Sequence, residues 1–190
     1  MQAAVRAPDL DAIKALVKAG ASVNESDSCG DTPLMAAFTP EIGWPSKSMH
    51  PSREEIAKEN RRMDQAADAR MVVALWLLDS GANPLALDAY GNSALSRAAG
   101  FGLGGATLLV IIRKMIAAGA NVNQQGSKGR TPLMDAAWTG RKDVAELLLS
   151  AGANKMARDH EGKTAEDIAR LGNRVEMLQL LSEGKVHSEH

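Results

Sequence analysis

Four times in this chain a glycine is followed, at one fixed interval, by a hydroxyl residue that opens a stretch of small and apolar side chains. The pairs are Gly20 and Thr32, Gly81 and Ser93, Gly119 and Thr131, and Gly152 and Thr164. The step from Thr131 to Thr164 marks one full period of the pattern. Equal intervals of this length are the mark of stacked repeats. Each unit is too small to bury its own apolar face, so the fold grows as a row of neighbours.

Each unit is a turn, a short helix and a second helix that ends at Gly-Ala. The turn is Asp-x-x-Gly-x-Thr/Ser at Asp27–Thr32, Asp88–Ser93 and Asp159–Thr164, and Gly126 replaces the Asp in the remaining copy. Asp folds a tight turn onto its own backbone, and Gly accepts positive φ. Thr or Ser caps the new helix, and Pro33 and Pro132 sit at the first helical position, where a missing N–H costs nothing. The pairs Ala36-Ala37, Ala98-Ala99 and Ala136-Ala137 let helices approach closely. Val144, Leu147 and Leu148 repeat at helical spacing, and Gly ends each second helix. Apolar residues make up 45% of the 190-residue chain but aromatics only 3%, which suits close-packed helices better than β-sheets.

These motifs resemble the ankyrin-repeat family. The family's Thr-Pro-Leu-His box stands here as Thr32-Pro33-Leu34-Met35 and Thr131-Pro132-Leu133-Met134. Its Gly-Ala-x-x-Asn ending stands as Gly20–Asn24 and Gly119–Asn123, with Gly81-Ala82-Asn83 and Gly152-Ala153-Asn154 as shortened forms. The resemblance covers the chain except residues 40–68 and the tail after Leu181. It implies an all-α solenoid of helix-turn-helix repeats joined by β-turn or hairpin loops, working as a protein-binding module. The family's His is replaced by Met35, Ser96, Met134 and Asp167. In the family that His bonds the inter-repeat loop, so looser loops are expected here.

A single domain over 1–190 is expected: a capping unit 1–24, a repeat 25–84 with an insertion over 40–68, repeats 85–123 and 124–154, a closing unit 155–184 and a tail 185–190. The insertion follows from the interval between Thr32 and Ser93, which is nearly twice that between Thr131 and Thr164. Pro40, Pro45 and Pro51 forbid a regular element in its first half. Ser52 with Glu55 forms a capping box, and a helical pattern then continues to Leu78. The interval from Ser93 to Thr131 also exceeds one period, by much less, so Gly100–Ala106 is expected to be a widened turn. Both excesses fall between first and second helices of consecutive repeats. The two should therefore touch, and the inserted helix is a candidate second recognition surface.

Lys and Arg number 22 against 23 for Asp and Glu, a net charge of -1, so nothing in the bulk charge draws in nucleic acid. The most apolar stretch, Leu108–Ile112, is far short of a membrane span. With no basic segment leading an apolar run at the N-terminus, a cytoplasmic protein is expected. No group of residues converges on catalysis, and no cofactor or metal is implied. His50, His160, His187 and His190 are scattered, Cys29 stands at a turn tip, and Gly102–Gly105 lacks the rest of a phosphate loop.

In the family the turn tips and the exposed side of the first helices form the concave partner surface. The resemblance therefore nominates Ser28, Asp31, Ala89, Tyr90, Asn92, Ser127, Lys128, Arg130, Trp138, His160, Glu161 and Lys163 as partner-binding. Trp44 and Phe101 join them as aromatic residues off the core pattern, since Trp and Tyr dominate interface hot spots. Another protein is the expected partner of a monomer. The alternative is a scaffold that dimerises through the inserted helix.

Overall fold

The computed structural model describes residues 1–39, 53–102 and 105–182. Among these residues ten α-helices follow in order: α1 (Gln2–Arg6), α2 (Leu10–Lys18), α3 (Pro33–Ala36), α4 (Arg53–Asp79), α5 (Ala94–Ala99), α6 (Gly105–Ala117), α7 (Pro132–Thr139), α8 (Lys142–Ser150), α9 (Ala165–Leu171) and α10 (Val175–Ser182). Among the described residues no strand forms. A lone bridge between Leu87 and Ser93 is the nearest approach to one.

The hydroxyl caps do what their spacing implies. Thr32, Ser93, Thr131 and Thr164 each accept a hydrogen bond from the backbone N–H three residues on, starting α3, α5, α7 and α9. The Ala pairs behind them are buried, so first helices stack side by side: α5 on α7, and α7 on α9. The second helices pack behind them, α4 on α6 and α6 on α8. One apolar core runs between the two rows from Val5 to Leu181.

The helix expected after Ser52 runs as a single element of 27 residues, against nine in α8. Its C-terminal half buries Ala67, Met71, Val73, Ala74 and Leu77 in the core. The segment 40–52, with its three prolines and Trp44, lies outside the described residues. So do the tail 185–190 and the side chains that would test the Ser52–Glu55 box.

Candidate protein-binding face

In three of the four turn tips an Asp carboxylate closes the turn onto its own backbone. Asp27 Oδ1 accepts from the N–H groups of Cys29 and Asp31 at 2.9 and 3.0 Å, and Asp88 Oδ1 from Tyr90 and Asn92 at 2.8 and 2.9 Å. Asp159 Oδ1 repeats this with Glu161 and Lys163 at 2.9 and 2.8 Å. The copy without an Asp is served from the preceding tip. Asn92 Oδ1 reaches across to accept from the Ser127 N–H at 2.8 Å. A Cβ on Gly126 would lie 2.4 Å from that same oxygen, which explains why Gly stands where the other tips have Asp.

The tips are also tied to one another, against the expectation of looser loops. Ala89 N–H donates to the Cys29 carbonyl at 2.9 Å, and His160 N–H to the Lys128 carbonyl at 2.9 Å. Two of the residues in place of the family's His are used locally, while the Ser96 hydroxyl donates to Asp135 Oδ2 of the next repeat. Asp167 Oδ2 accepts from both the N–H and the hydroxyl of Thr164, and the Met134 sulfur from the Thr131 N–H.

The centre of the face is an ion-pair cluster. The Arg97 guanidinium bridges Asp31 of one repeat and Asp88 of its own, and also donates to Thr39 Oγ1 at 3.0 Å. Arg6 approaches the Asp31 carboxylate at 3.5 Å from the other side. Burial would raise the pKa of Asp88. Hydrogen bonds from Asn92 and Arg97 outweigh it and hold the carboxyl below its usual range. Burial likewise opposes the charge on Arg97, but Asp88 and Asp31 outweigh it and raise its pKa. Asp135, one repeat on, behaves oppositely. Burial pushes its pKa up despite the hydroxyl of Ser96 and the charge of Arg130.

Of the nominated residues, Ser28, Ala89, Tyr90, Ser127, Lys128, Trp138, His160 and Glu161 are exposed, and Asn92, Arg130 and Lys163 are half-buried. Tyr90 is 68% exposed and Trp138 53%, with the Arg130 guanidinium 5.8 Å from the Trp138 ring centroid. Two nominations are corrected. Asp31 is only 6% exposed because its carboxylate is held in the Arg97 pair. Phe101 is 6% exposed: its ring packs edge-on against Phe38, centroids 6.2 Å apart, inside the core. Asp64, Ala67 and Asp68 of α4 line a shallow groove together with Gly102, Gly105, Arg141 and Asp143. Trp44 lies outside the described residues.

Sequence reading gave no role to Arg97, Ser96 and Asp135, whose partners stand in other repeats and leave no local signal. It also missed Leu171, which follows its cap Thr164 at the same interval as Trp138 follows Thr131, and is 62% exposed.

A row of paired helices joined by self-bonded turn tips, with a continuous core between two helix layers, defines a helical repeat protein. Models of ankyrin repeats match residues 63–159 and 111–189 (three copies) and 1–39 (many copies). The chain belongs to the ankyrin-repeat family, whose repeats typically mediate protein–protein interaction. Curated proteins similar to it include the potassium channel GORK of Arabidopsis thaliana, 32% identical over 39% of the chain, and the human 2-5A-dependent ribonuclease, 35% identical over 35%. Inversin of Danio rerio is 37% identical over 37% of the chain. The matched segments span 9%, 9% and 7% of those proteins' own lengths. No described helix is long and apolar enough to cross a membrane.

Proposed function

We propose that this chain is a non-catalytic protein-binding module (an adaptor, inhibitor or immunity-type binder) that holds its partner on the row of tips and first helices. What supports this reading is the exposure of Tyr90 and Trp138 on that row, in a chain whose other described aromatics, Phe38, Trp76 and Phe101, are buried or half-buried. Amphipathic rings held on rigid elements are the side chains that carry interface energy. Affinity capture from native cells tests it. Trp138→Ala and Tyr90→Ala should each weaken the captured partner by about 2 kcal/mol or more, with helicity by circular dichroism unchanged. A partner held equally well by both variants sinks this face.

On this reading the unit boundaries are 1–24, 25–84, 85–123, 124–154 and 155–184. Residues 40–68 are an insertion between two helices of one repeat, offering a second surface, and the protein is cytoplasmic and uses no cofactor. Self-assembly through α4 is the second reading. Val72 of α4 and Val110 of α6 are both exposed, each at the same interval before its closing glycine, Gly81 or Gly119, and so form an apolar strip on the side away from the tips. Sedimentation velocity at two concentrations separates the readings: a dimer abolished by Val72→Ser with Val110→Ser favours assembly, and a monomer throughout excludes it.

A further inference from the structure

Trp138 and Leu171 stand at equivalent positions of the neighbouring helices α7 and α9, and both are exposed. Between them lies Arg174, and its stem is seated rather than free. A Cβ on Gly140 would be 2.8 Å from Arg174 Cδ, and a Cβ on Gly172 would be 3.3 Å from its Cγ. The glycines that follow α7 and α9 therefore make room for the arginine to lie across the helix ends. Its Nε donates to the Trp138 carbonyl at 3.2 Å, which sets the plane of the guanidinium. Nη1 and Nη2 have no hydrogen-bond or ion-pair partner among the described residues. A guanidinium so held is an open fork for a carboxylate, with most of its ordering entropy already lost on folding.

The surrounding charges are accounted for. Arg130, stacked over Trp138, is neutralised by Asp135 at 3.2 Å, and Arg141 by Asp143 at 2.8 Å. Lys128 on the adjacent tip has no ion-pair partner among the described residues. The unbalanced charge beside the exposed indole is thus positive and is carried by Arg174. Elsewhere on the face Arg97 is saturated by Asp31 and Asp88. It offers nothing to a ligand.

Resting on the protein-binding reading above, we infer that the last two repeats form the recognition site. Its ligand is an extended segment of a partner protein with an acidic residue close to a large apolar one. The carboxylate pairs with Nη1 and Nη2 of Arg174, and the apolar side chain covers Trp138 and Leu171. A single open fork suits a monoanionic carboxylate.

Panning the full chain against a displayed random peptide library tests this, followed by titration of synthetic peptides that win. Winners should carry Asp or Glu beside Leu, Ile, Phe or Trp. They should lose about tenfold or more in affinity to Trp138→Ala, and a similar factor to Arg174→Gln, which keeps the stem but removes the charged fork. A merely structural Arg174 would not make the peptide's own Glu→Gln change silent in the Arg174→Gln background, nor flatten the salt dependence; the site described here does both. Winners without acidic residues, or no winners at all, overturn the inference. Winners indifferent to Trp138 and Arg174 but lost with Tyr90→Ala overturn it while the concave reading survives. Winners indifferent to all three variants overturn both.

Discussion

Four donors converge on the carboxylate of Asp88: the backbone N–H groups of Tyr90 and Asn92, the Asn92 amide and the Arg97 guanidinium. Its side chain is fully buried, so removing the cation leaves an uncompensated charge in the interior. Arg97→Ala should cost about 3–5 kcal/mol in urea denaturation; a loss under about 1 kcal/mol would mean that the cluster is idle. Asp88 and Asp135 respond to pH in opposite senses. The folded pKa of Asp88 lies below its unfolded value, so its contribution is present above the unfolded pKa and fades as pH falls through the folded one. Asp135 has a raised folded pKa, so ionising it costs stability, and the cost appears as pH rises through that raised value. Asp135→Asn keeps the acceptor for Ser96. It should therefore be at least as stable as the native protein at neutral pH, with the advantage gone in acid; a variant less stable at neutral pH than in acid, relative to the native protein, contradicts this. Gly126 is constrained by space rather than by φ, which is -104°. Gly126→Ala should cost about 1–3 kcal/mol by crowding Asn92. In an Asn92→Ala background that cost should shrink toward zero, and a double-mutant cycle without coupling refutes the strut.

Among the elements, α8 shows most plainly how a repeat is held. Val144, Ala145, Leu147 and Leu148 are buried at helical spacing, and Leu148 is fully enclosed. Leu148→Ala should cost about 2–5 kcal/mol by equilibrium unfolding, whereas a loss below about 0.5 kcal/mol would place that face elsewhere. Asp64, Ala67 and Asp68 of α4 share a groove with Gly102 and Gly105, and Phe38 packs on Phe101, so α4 and the chain between α5 and α6 are neighbours. Equivalent turns are neighbours in a stack, so extra length in one is felt by the next.

Over the whole molecule the junctions between repeats are not equal. Asn24 accepts from the Asn83 N–H at 2.7 Å and donates to the Gly81 carbonyl at 3.1 Å, clasping the loop of the next repeat. Asn123 does the same to Asn154 and Gly152 at 2.7 and 3.1 Å. At the junction between them the equivalent residue is Leu85, exposed and unable to clasp. The Arg97–Asp31 pair spans that junction instead. The Leu85 backbone is already set, since its N–H donates to Asn83 Oδ1 as that of Asn123 does to Asn121. Leu85→Asn should therefore add about 0.5–1.5 kcal/mol, and hydrogen exchange should show slower opening of the loops at 81–85 and 119–123. Unchanged exchange and stability would mean that the junction is already closed.

What the sequence determined by itself was whatever is local. Turn chemistry, hydroxyl caps, Ala pairs and helical spacing act within a few residues, so the repeat, its family and the exposure of Tyr90 and Trp138 were legible from them. The same reasoning put Phe101 and Asp31 on the surface, and there it failed. Phe101 is buried because it packs against Phe38 of the preceding repeat, and Asp31 because Arg97 of the following repeat takes its carboxylate. Arg174 is a seated fork only because Gly140 and Gly172, from two different helix ends, leave it room. Pairings of that kind depend on which repeats become neighbours and how closely their backbones stack. That is a property of the assembled row and not of any one unit.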